Sequence, residues 1–309
     1  MVDILETLKQ VWSWIFVKKN GRDQSVVQQN IGQETEQLCF KTFLKQPMIE
    51  EVIFTNCQPL WRISVWNKRI FISGDEKSIK SIDQTTHGYK DELETLSGNS
   101  PDDFSITDLG EIIYADWQER RIFHLQNDQV DTMINLGGWK PWALCCSDTG
   151  DILVAMRSDD ARRARVVGYQ GFTKTREYCL DSKGRRLYGS PIFIAENKNG
   201  DVCVSDAHYN RVTVVDLKGI FKFYYSGQQM LRKYPTFYPK GITTDSQCHI
   251  LVADQQNNCI HIVDRIGQLV SFITDISLDE PYCLCVGKAD ELFVGEYHKG
   301  HIKKLRYMQ

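Results

Sequence analysis

A pattern that recurs six times along the chain constrains the fold more than any other feature of this sequence. It is clearest in EIIYADWQERRIFHL (111–125), DVCVSDAHYNRVTVVD (201–216) and ILVADQQNNCIHIVD (250–264). The turn residues that precede the six units are Trp61, Pro101, Pro141, Pro191, Pro239 and Pro281. They are separated by 40, 40, 50, 48 and 42 residues. A period of this length indicates an array of similar structural units.

Each unit reads as four short strands. A first apolar run is followed by a tight turn, often D-x-x-G or N-x-G-D, and then by a second apolar run. That run ends at a small residue and usually an acid, as in Ala115-Asp116 and Ala253-Asp254. Four strands in 40 to 50 residues are typical of a propeller blade. Since no amphipathic helical stretch separates the strands, the sequence predicts an all-β, six-bladed β-propeller.

The last unit lacks its outer strand, and the N-terminal part of the chain contains one predicted strand that belongs to no complete unit. We predict that Glu51–Asn56 pairs with IKKLRY (302–307) and closes the ring, which leaves no open sheet edge. The propeller is then expected to occupy residues 49–309. Residues 1–48 would lie outside it, as an amphipathic helix followed by a polar linker.

Composition narrows the class of protein. The formal net charge is −3 and the pI is about 6.2, so the chain has no general attraction for nucleic acid. No apolar run approaches the roughly 20 residues that cross a bilayer, and we expect a soluble, cytoplasmic protein without a membrane span. The ten cysteines do not occur at zinc-site spacing. We therefore expect reduced structural thiols, no bound metal and no cofactor.

Two stretches carry a family resemblance: YPKGITTDSQCHILVADQQNNCIHIVDRIGQLV (238–270) and PYCLCVGKADELFVGEYHKGHIKKLRY (281–307). They resemble the NHL repeats of the C-terminal propeller in tripartite-motif (TRIM-NHL) proteins, particularly the molluscan set, over residues 40–309. The resemblance implies a module that recognises a substrate protein or RNA, attached to a RING and B-boxes that confer ubiquitin-ligase activity. The cysteine and histidine array of a RING or B-box is absent from this sequence. Any ligase chemistry would then come from a partner chain that carries a RING.

An enzymatic alternative stays open at this point, because six-bladed propellers also include metal-dependent hydrolases and lactonases. Such a site needs several convergent oxygen ligands. The acids Asp116, Asp206, Asp254 and Glu296 recur at one column of the repeat, so we expect them to accept turn hydrogen bonds. Motifs such as G-x-S-x-G and H-E-x-x-H are missing. We predict no catalytic residue, and rank enzyme activity third.

The favoured function is recognition of a protein or peptide by the face that carries the turns between second and third strands. Aromatic and arginine side chains dominate binding hot spots in protein interfaces. The residues expected to form this face are Trp117, Arg120, Arg121, Trp139, Trp142, Arg157, Arg162, Arg163, Tyr209, Arg211, Tyr238, Lys240, Tyr282 and Tyr297. Single-stranded RNA is the second alternative, since stacking and phosphate contacts use the same residue types. The acids in the same loops make the face only weakly basic, which favours a protein partner.

Overall fold

The computed structural model describes residues 41–126, 129–147, 149–228, 234–274 and 276–309. Every regular element among these residues is a β-strand. The strands, in chain order, are β1 (Phe43–Phe54), β2 (Arg62–Trp66), β3 (Arg69–Ser73), β4 (Ser78–Asp83), β5 (Tyr89–Glu94), β6 (Asp103–Ile106), β7 (Ile112–Asp116), β8 (Arg121–Gln126), β9 (Gln129–Asn135), β10 (Trp139–Cys146), β11 (Ile152–Ser158), β12 (Ala164–Gln170), β13 (Thr173–Tyr178), β14 (Pro191–Glu196), β15 (Val202–Asp206), β16 (Arg211–Val215), β17 (Phe221–Tyr225), β18 (Pro239–Thr244), β19 (Ile250–Asp254), β20 (Cys259–Val263), β21 (Leu269–Ile273), β22 (Pro281–Val286), β23 (Leu292–Glu296) and β24 (His301–Met308).

These strands form six antiparallel four-stranded sheets, which we call blades 1 to 6. Blades 1 to 5 each use four consecutive strands, from β2–β5 through β18–β21, and blade 6 has the order β1-β24-β23-β22. The first strands β2, β6, β10, β14, β18 and β22 are neighbours of one another around a central channel. The predicted six-bladed β-propeller is confirmed.

The second strand of each blade is the most buried element. All five residues of β7, β15, β19 and β23 are buried. Such a strand has other strands at both of its edges and a neighbouring blade against each of its faces. This is why these segments read as continuous apolar runs in the sequence, without the alternation of a strand that faces water on one side.

In blades 4 and 5, Asp-x-x-Gly turns connect the third and fourth strands rather than the first and second strands, where the sequence predicted them. In blade 4 the Asp216 carboxylate accepts hydrogen bonds from the backbone N–H groups of Lys218 and Ile220, and Gly219 has a φ of 81°. Blade 5 repeats this arrangement at Asp264. An aspartate that binds the backbone two residues further on, followed by a residue with positive φ, is a turn that the sequence alone specifies.

The predicted closure of the ring is confirmed. The first strand, β1, pairs antiparallel with β24, with Ile53 opposite Ile302 and Val52 opposite Lys303. The strand is longer than the expected Glu51–Asn56, because its pairing extends back to Phe43 opposite Met308. A backbone bond from Thr42 N–H to the Gln309 carbonyl, 2.8 Å long, continues the contact to the end of the chain.

The predicted N-terminal helix falls on residues outside those described, and the division into residues 1–48 and 49–309 stays a prediction. The described residues contain no helix long and apolar enough to cross a membrane.

Candidate recognition face at the channel mouth

One face of the ring collects the chain segments that the sequence predicted to bind a partner. In an antiparallel blade, the start of the first strand and the turn between second and third strands lie at the same end. The channel therefore opens on this face among the first residues of β2, β6, β10, β14, β18 and β22. We call this opening the channel mouth.

Arg62 lies at the channel mouth and contacts three other blades. Its Nε lies 2.8 Å from the Asp103 carboxylate of blade 2, and its Nη2 donates to the carbonyl oxygens of Trp142 and Ile192, both at 3.1 Å. The guanidinium also lies 3.9 Å from the centre of the Phe193 ring. One side chain, 7% exposed, thereby joins blades 1, 2, 3 and 4. An arginine suits this position because its donors are fixed in a plane and its charge is weakly hydrated.

Two tryptophans stack on one side of the mouth. The rings of Trp117 and Trp142 lie 5.9 Å apart at 19°. Lys140 Nζ lies 4.5 Å from the Trp117 ring, and the Arg157 guanidinium lies 5.8 Å from the Trp142 ring. Arg157 also donates to Ser190 Oγ. The result is a row of cation, aromatic, aromatic and cation, half-buried and open to a ligand.

Tyrosines and a lysine form the other side. Lys240 Nζ lies 4.6 Å from the Tyr238 ring and 5.2 Å from the Tyr282 ring, which in turn contacts Tyr297 at 4.6 Å. Burial, together with the positive charge of Arg62, lowers the pKa of Lys240 to about 8. The Tyr282 ring meets Phe193 edge to face at 5.5 Å, which connects this side to Arg62. We call Trp117, Trp142, Tyr238, Tyr282 and Tyr297 the aromatic rim.

Asp102 lies behind the tryptophan pair. Its carboxylate accepts a 2.7 Å hydrogen bond from the backbone N–H of Trp117. Burial raises the pKa of Asp102 to about 7, against the lowering effect of that hydrogen bond; the negative charge of Asp116 also raises it. The mouth thus holds two groups, Asp102 and Lys240, whose charge changes near neutral pH.

The recurring acids have the structural role that the repeat predicted. Asp206 accepts hydrogen bonds from the N–H groups of His208 and Tyr209 in its own turn, and from Gly189 and Ser190 in the segment that enters blade 4. Asp116 binds the N–H groups of its turn in the same way. Each acid therefore fastens a turn to the incoming crossing between blades.

Seven of the fourteen predicted residues belong to the mouth: the aromatic rim, Arg157 and Lys240. The other seven make peripheral contacts. Arg120 pairs with Asp159 at 3.0 Å, Arg121 lies 3.5 Å from Glu119, and Arg211 lies on the rings of Tyr209 and Tyr224. Arg163 lies 5.3 Å from the Trp139 ring, and Arg162 and Arg163 are exposed.

The fourteen predicted residues leave out four residues of the mouth: Arg62, Asp102, Lys140 and Phe193. Arg62 carried a usable signal, because it is a charged residue inside the otherwise apolar run WRISVW at the start of a first strand. First strands line the channel, so a charge there predicts a contact across it. Phe193 and Asp102 carried no comparable signal, since a phenylalanine in a strand and an aspartate in a turn are ordinary.

Cysteines line the channel below Arg62. A cavity of about 190 Å³ has Cys145, Cys283 and Cys285 in its wall. Burial raises the pKa of Cys145 to about 12 and that of Cys285 to about 11, so both thiols stay protonated at neutral pH. The nine cysteines among the described residues are all free thiols.

One group of potential metal ligands occurs in the described part of the chain. Asp254, Cys259 and His261 place one ligand atom each within 4.8 Å of one another, inside blade 5. His261 Nδ1 also lies 2.8 Å from the Tyr225 hydroxyl. All three residues are buried.

Solved structures of other proteins share this fold. The chain is similar to virginiamycin B lyase from Staphylococcus aureus, with a TM-score of 0.60 and 15% identity, over 84% of this chain and 98% of that one. It is also similar to a gluconolactonase from Xanthomonas campestris, with a TM-score of 0.64 and 13% identity, over 86% and 97% of the two chains. A chain in a nidogen/laminin complex aligns with a TM-score of 0.59 and 16% identity, over 74% of this chain and 85% of that one. At these identities the likeness shows the six-bladed propeller alone. No family model matches the chain, and no curated protein is similar to it in sequence.

Proposed function

We propose that this chain is a protein-interaction module with no catalysis of its own, and that its partner binds at the channel mouth. The observation that carries the proposal is the aromatic rim: five half-buried aromatic side chains around one opening, interspersed with Lys140, Arg157 and Lys240. Aromatic and arginine side chains clustered at one partly desolvated place are the composition of a binding hot spot.

We further infer a substrate-recognition module of the TRIM-NHL type, working in the cytoplasm with a partner chain that carries a RING. The NHL-like repeats at 238–270 and 281–307 support this inference. The enzymatic alternative is less well supported, although some structural neighbours are enzymes. A lactonase-type metal needs several convergent oxygen ligands, and the Asp103 carboxylate in the wall of the channel is already paired with Arg62.

The proposal is tested by capturing partners from nuclease-treated lysate with the full chain and with the variant Trp142→Ala. Truncating a hot-spot tryptophan costs about 2 kcal/mol or more, so captured partners should bind roughly thirtyfold more weakly. Phe172→Ala is the matched control, because Phe172 is an aromatic residue of the same blade, 78% exposed on an outer hairpin. Unchanged binding by Trp142→Ala, with an unchanged thermal midpoint, would contradict the proposal.

Single-stranded RNA is a second candidate, favoured by one observation in blade 3. Arg163 and Arg165 both lie on the Trp139 ring, and the Arg186 guanidinium donates to the Arg162 carbonyl. These side chains could combine base stacking with phosphate contacts.

A titration with a U-rich single strand at low and at physiological salt separates the two candidates. RNA held by several phosphate contacts should lose most of its affinity as salt rises. A protein partner should show a moderate salt dependence, because Asp159 and Asp160 offset part of the charge. Tight, salt-resistant binding of RNA that is lost in Arg162→Glu/Arg163→Glu would place RNA first.

A further inference from the structure

We propose that the channel mouth recognises an acidic peptide segment, whose carboxylates pair with Lys140, Arg157 and Lys240 against the aromatic rim. The inference rests on the proposed function and names the chemistry of the partner. It depends on three observations. The cations of the mouth have no carboxylate partner among the described residues, aromatic rings lie against them, and two groups of the mouth change charge near neutral pH.

The cations of the mouth differ from those of the periphery. Within the described part of the chain, no carboxylate oxygen lies within 4 Å of the charged nitrogens of Lys140, Arg157 or Lys240. Around them, Arg120 pairs with Asp159 and Arg165 pairs with Glu177. The cations that surround the opening are therefore available to a ligand, while several neighbours have internal partners.

The environment of these cations strengthens a contact with an anion. Arg157 Nε is buried without a hydrogen-bond acceptor among the described residues. Lys140 lies on an indole ring and Lys240 lies between two phenol rings. A charge that has lost part of its hydration and has no counter-charge gains more from an incoming carboxylate than an exposed charge does.

No carboxylate among the described residues forms an ion pair with Lys240. Arg62 is cationic, and burial raises the pKa of Tyr282, so that phenol stays neutral. Two carboxylates lie at the ends of the second strands of blades 4 and 5, and both accept hydrogen bonds from the protein backbone. Asp254 accepts from the Tyr238 N–H, and Asp206 accepts from four backbone N–H groups.

The groups that face Asp102 are Arg62, Asp103 and Asp116. Arg62 and Asp103 neutralise each other as an ion pair. Burial is the main cause of the raised pKa of Asp102, and the nearby negative charge of Asp116, which accepts from Ser97 Oγ, also raises it, so Asp102 keeps its proton to higher pH.

These two groups make the mouth respond to pH. Below pH 7, Lys240 is charged and Asp102 is mostly neutral; above pH 8, Lys240 is mostly neutral and Asp102 is charged. Both changes make the mouth less positive as pH rises, by about two elementary charges in total. Affinity for a carboxylate should therefore fall through this range, by about tenfold between about pH 6 and about pH 9 from the loss of the Lys240 proton alone.

The experiment selects binders of the full chain from a random peptide library and measures their affinities across this pH range. Selected peptides should share an Asp or Glu, and replacing that residue by Asn or Gln should weaken them about tenfold or more. Lys240→Met should bind them about tenfold more weakly near pH 6, whereas Lys240→Arg should bind normally there and lose less affinity as pH rises, since arginine stays protonated. Lys218→Met is the matched control, on an exposed turn at the opposite end of blade 4.

The outcomes distinguish this inference from the proposed function. Peptides that bind Trp142→Ala more weakly but share no Asp or Glu would contradict the pairing with a carboxylate. They would still support the proposed recognition face. Peptides that bind Trp142→Ala and Lys240→Met as tightly as they bind the unaltered chain would overturn both the inference and the proposed function. A library that yields no binder would also overturn the inference.

Discussion

At the residue scale, one position of the repeat shows that different blades accommodate a buried acid in different ways. The column contains the acid at the end of the second strand and the side chain on the third strand that faces it. In blade 6, Glu296 pairs with Lys303 at 2.5 Å, and in blade 5 Asp254 lies 3.4 Å from His261. In blade 3 the same positions hold Met156 and Val167, both fully buried. In blade 3 the acid and its polar partner are both absent, as expected because a buried charge needs a partner. In blade 1 the acid is replaced by Gly74, and the facing Lys80 pairs with Glu76 instead.

Blade 1 has Gly74 at the acid position, for a steric reason. A Cβ atom there would lie 2.2 Å from the backbone carbonyl oxygen of Pro59, which follows the closing strand. The crossing segment that an acid fastens in other blades is here in direct contact with the backbone of the turn. A side chain has no room at this position.

This column predicts the result of a swap in blade 6. Lys303→Met should destabilise the protein by about 3–5 kcal/mol, because it leaves the buried Glu296 carboxylate without its cation. The double variant Glu296→Met/Lys303→Val, which copies blade 3, should recover most of that loss. About 1 kcal/mol should stay lost, since the Asp279 N–H also donates to Glu296. Urea denaturation measures both, and a double variant as unstable as the single one would contradict the explanation.

At the element scale, the closing pair β1 and β24 holds the ring together. Ile53 of β1 is fully buried, and the pairing runs from Phe43 to Phe54. Lys41 adds an ion pair with Asp290 at 2.7 Å, on the turn between β22 and β23. The last blade is thus completed by a strand about 250 residues away in sequence, which turns a linear array into a closed one.

Truncation tests the closure. Removal of residues 1–57 should expose the edge of β24 and lower the thermal midpoint markedly, whereas removal of residues 1–40 should not. Burying one isoleucine contributes about 1.5–3 kcal/mol, so the loss of Ile53 alone should lower the midpoint by roughly 3–6 °C. Thermal unfolding followed by circular dichroism measures the difference. Equal midpoints for the two truncations would refute the closure.

At the scale of the whole molecule, the ring is nearly symmetric in backbone and asymmetric in its mouth. The blades repeat the same strand order, but Arg62, the tryptophan pair and Lys240 each occur once around the opening. The acids that recur in the repeat fasten turns, while the residues that break the repeat surround the channel. A binding site needs directional contacts to one partner, and the departures from symmetry supply them.

We predict that the whole protein needs no metal ion. The acids Asp116, Asp206 and Glu296 already accept hydrogen bonds from turns and crossings, which is the role they need in a propeller. The buried group Asp254, Cys259 and His261 is the place to examine. Elemental analysis of purified protein should show less than one tightly held zinc or calcium ion per chain, and the thermal midpoint should not change with a chelator. A stoichiometric ion that is lost in His261→Phe would contradict the prediction.

The sequence by itself determined the architecture of the described chain. Blades 1 to 5 are built from strands that follow one another in sequence, so their strands, their turns and the acid column appear as a pattern within 40 to 50 residues. The closing strand was also predictable, because the last unit of a closed ring needs a fourth strand and the N-terminal part of the chain contains an unused one. The structural role of Asp116 and Asp206 followed from their recurrence, since a residue needed once per blade is serving the blade.

Only the tertiary structure decided which loop residues meet. Seven of the fourteen predicted residues surround the channel, and the other seven form peripheral contacts such as the Arg120–Asp159 pair. Contacts across the channel join residues that are 80 and 130 positions apart in sequence, as in the bonds from Arg62 to Trp142 and Ile192. The pKa values of Lys240 and Asp102 depend on burial that no local pattern encodes. Period and turn chemistry are properties of neighbours in sequence, whereas the mouth is made by residues that the closed ring brings together.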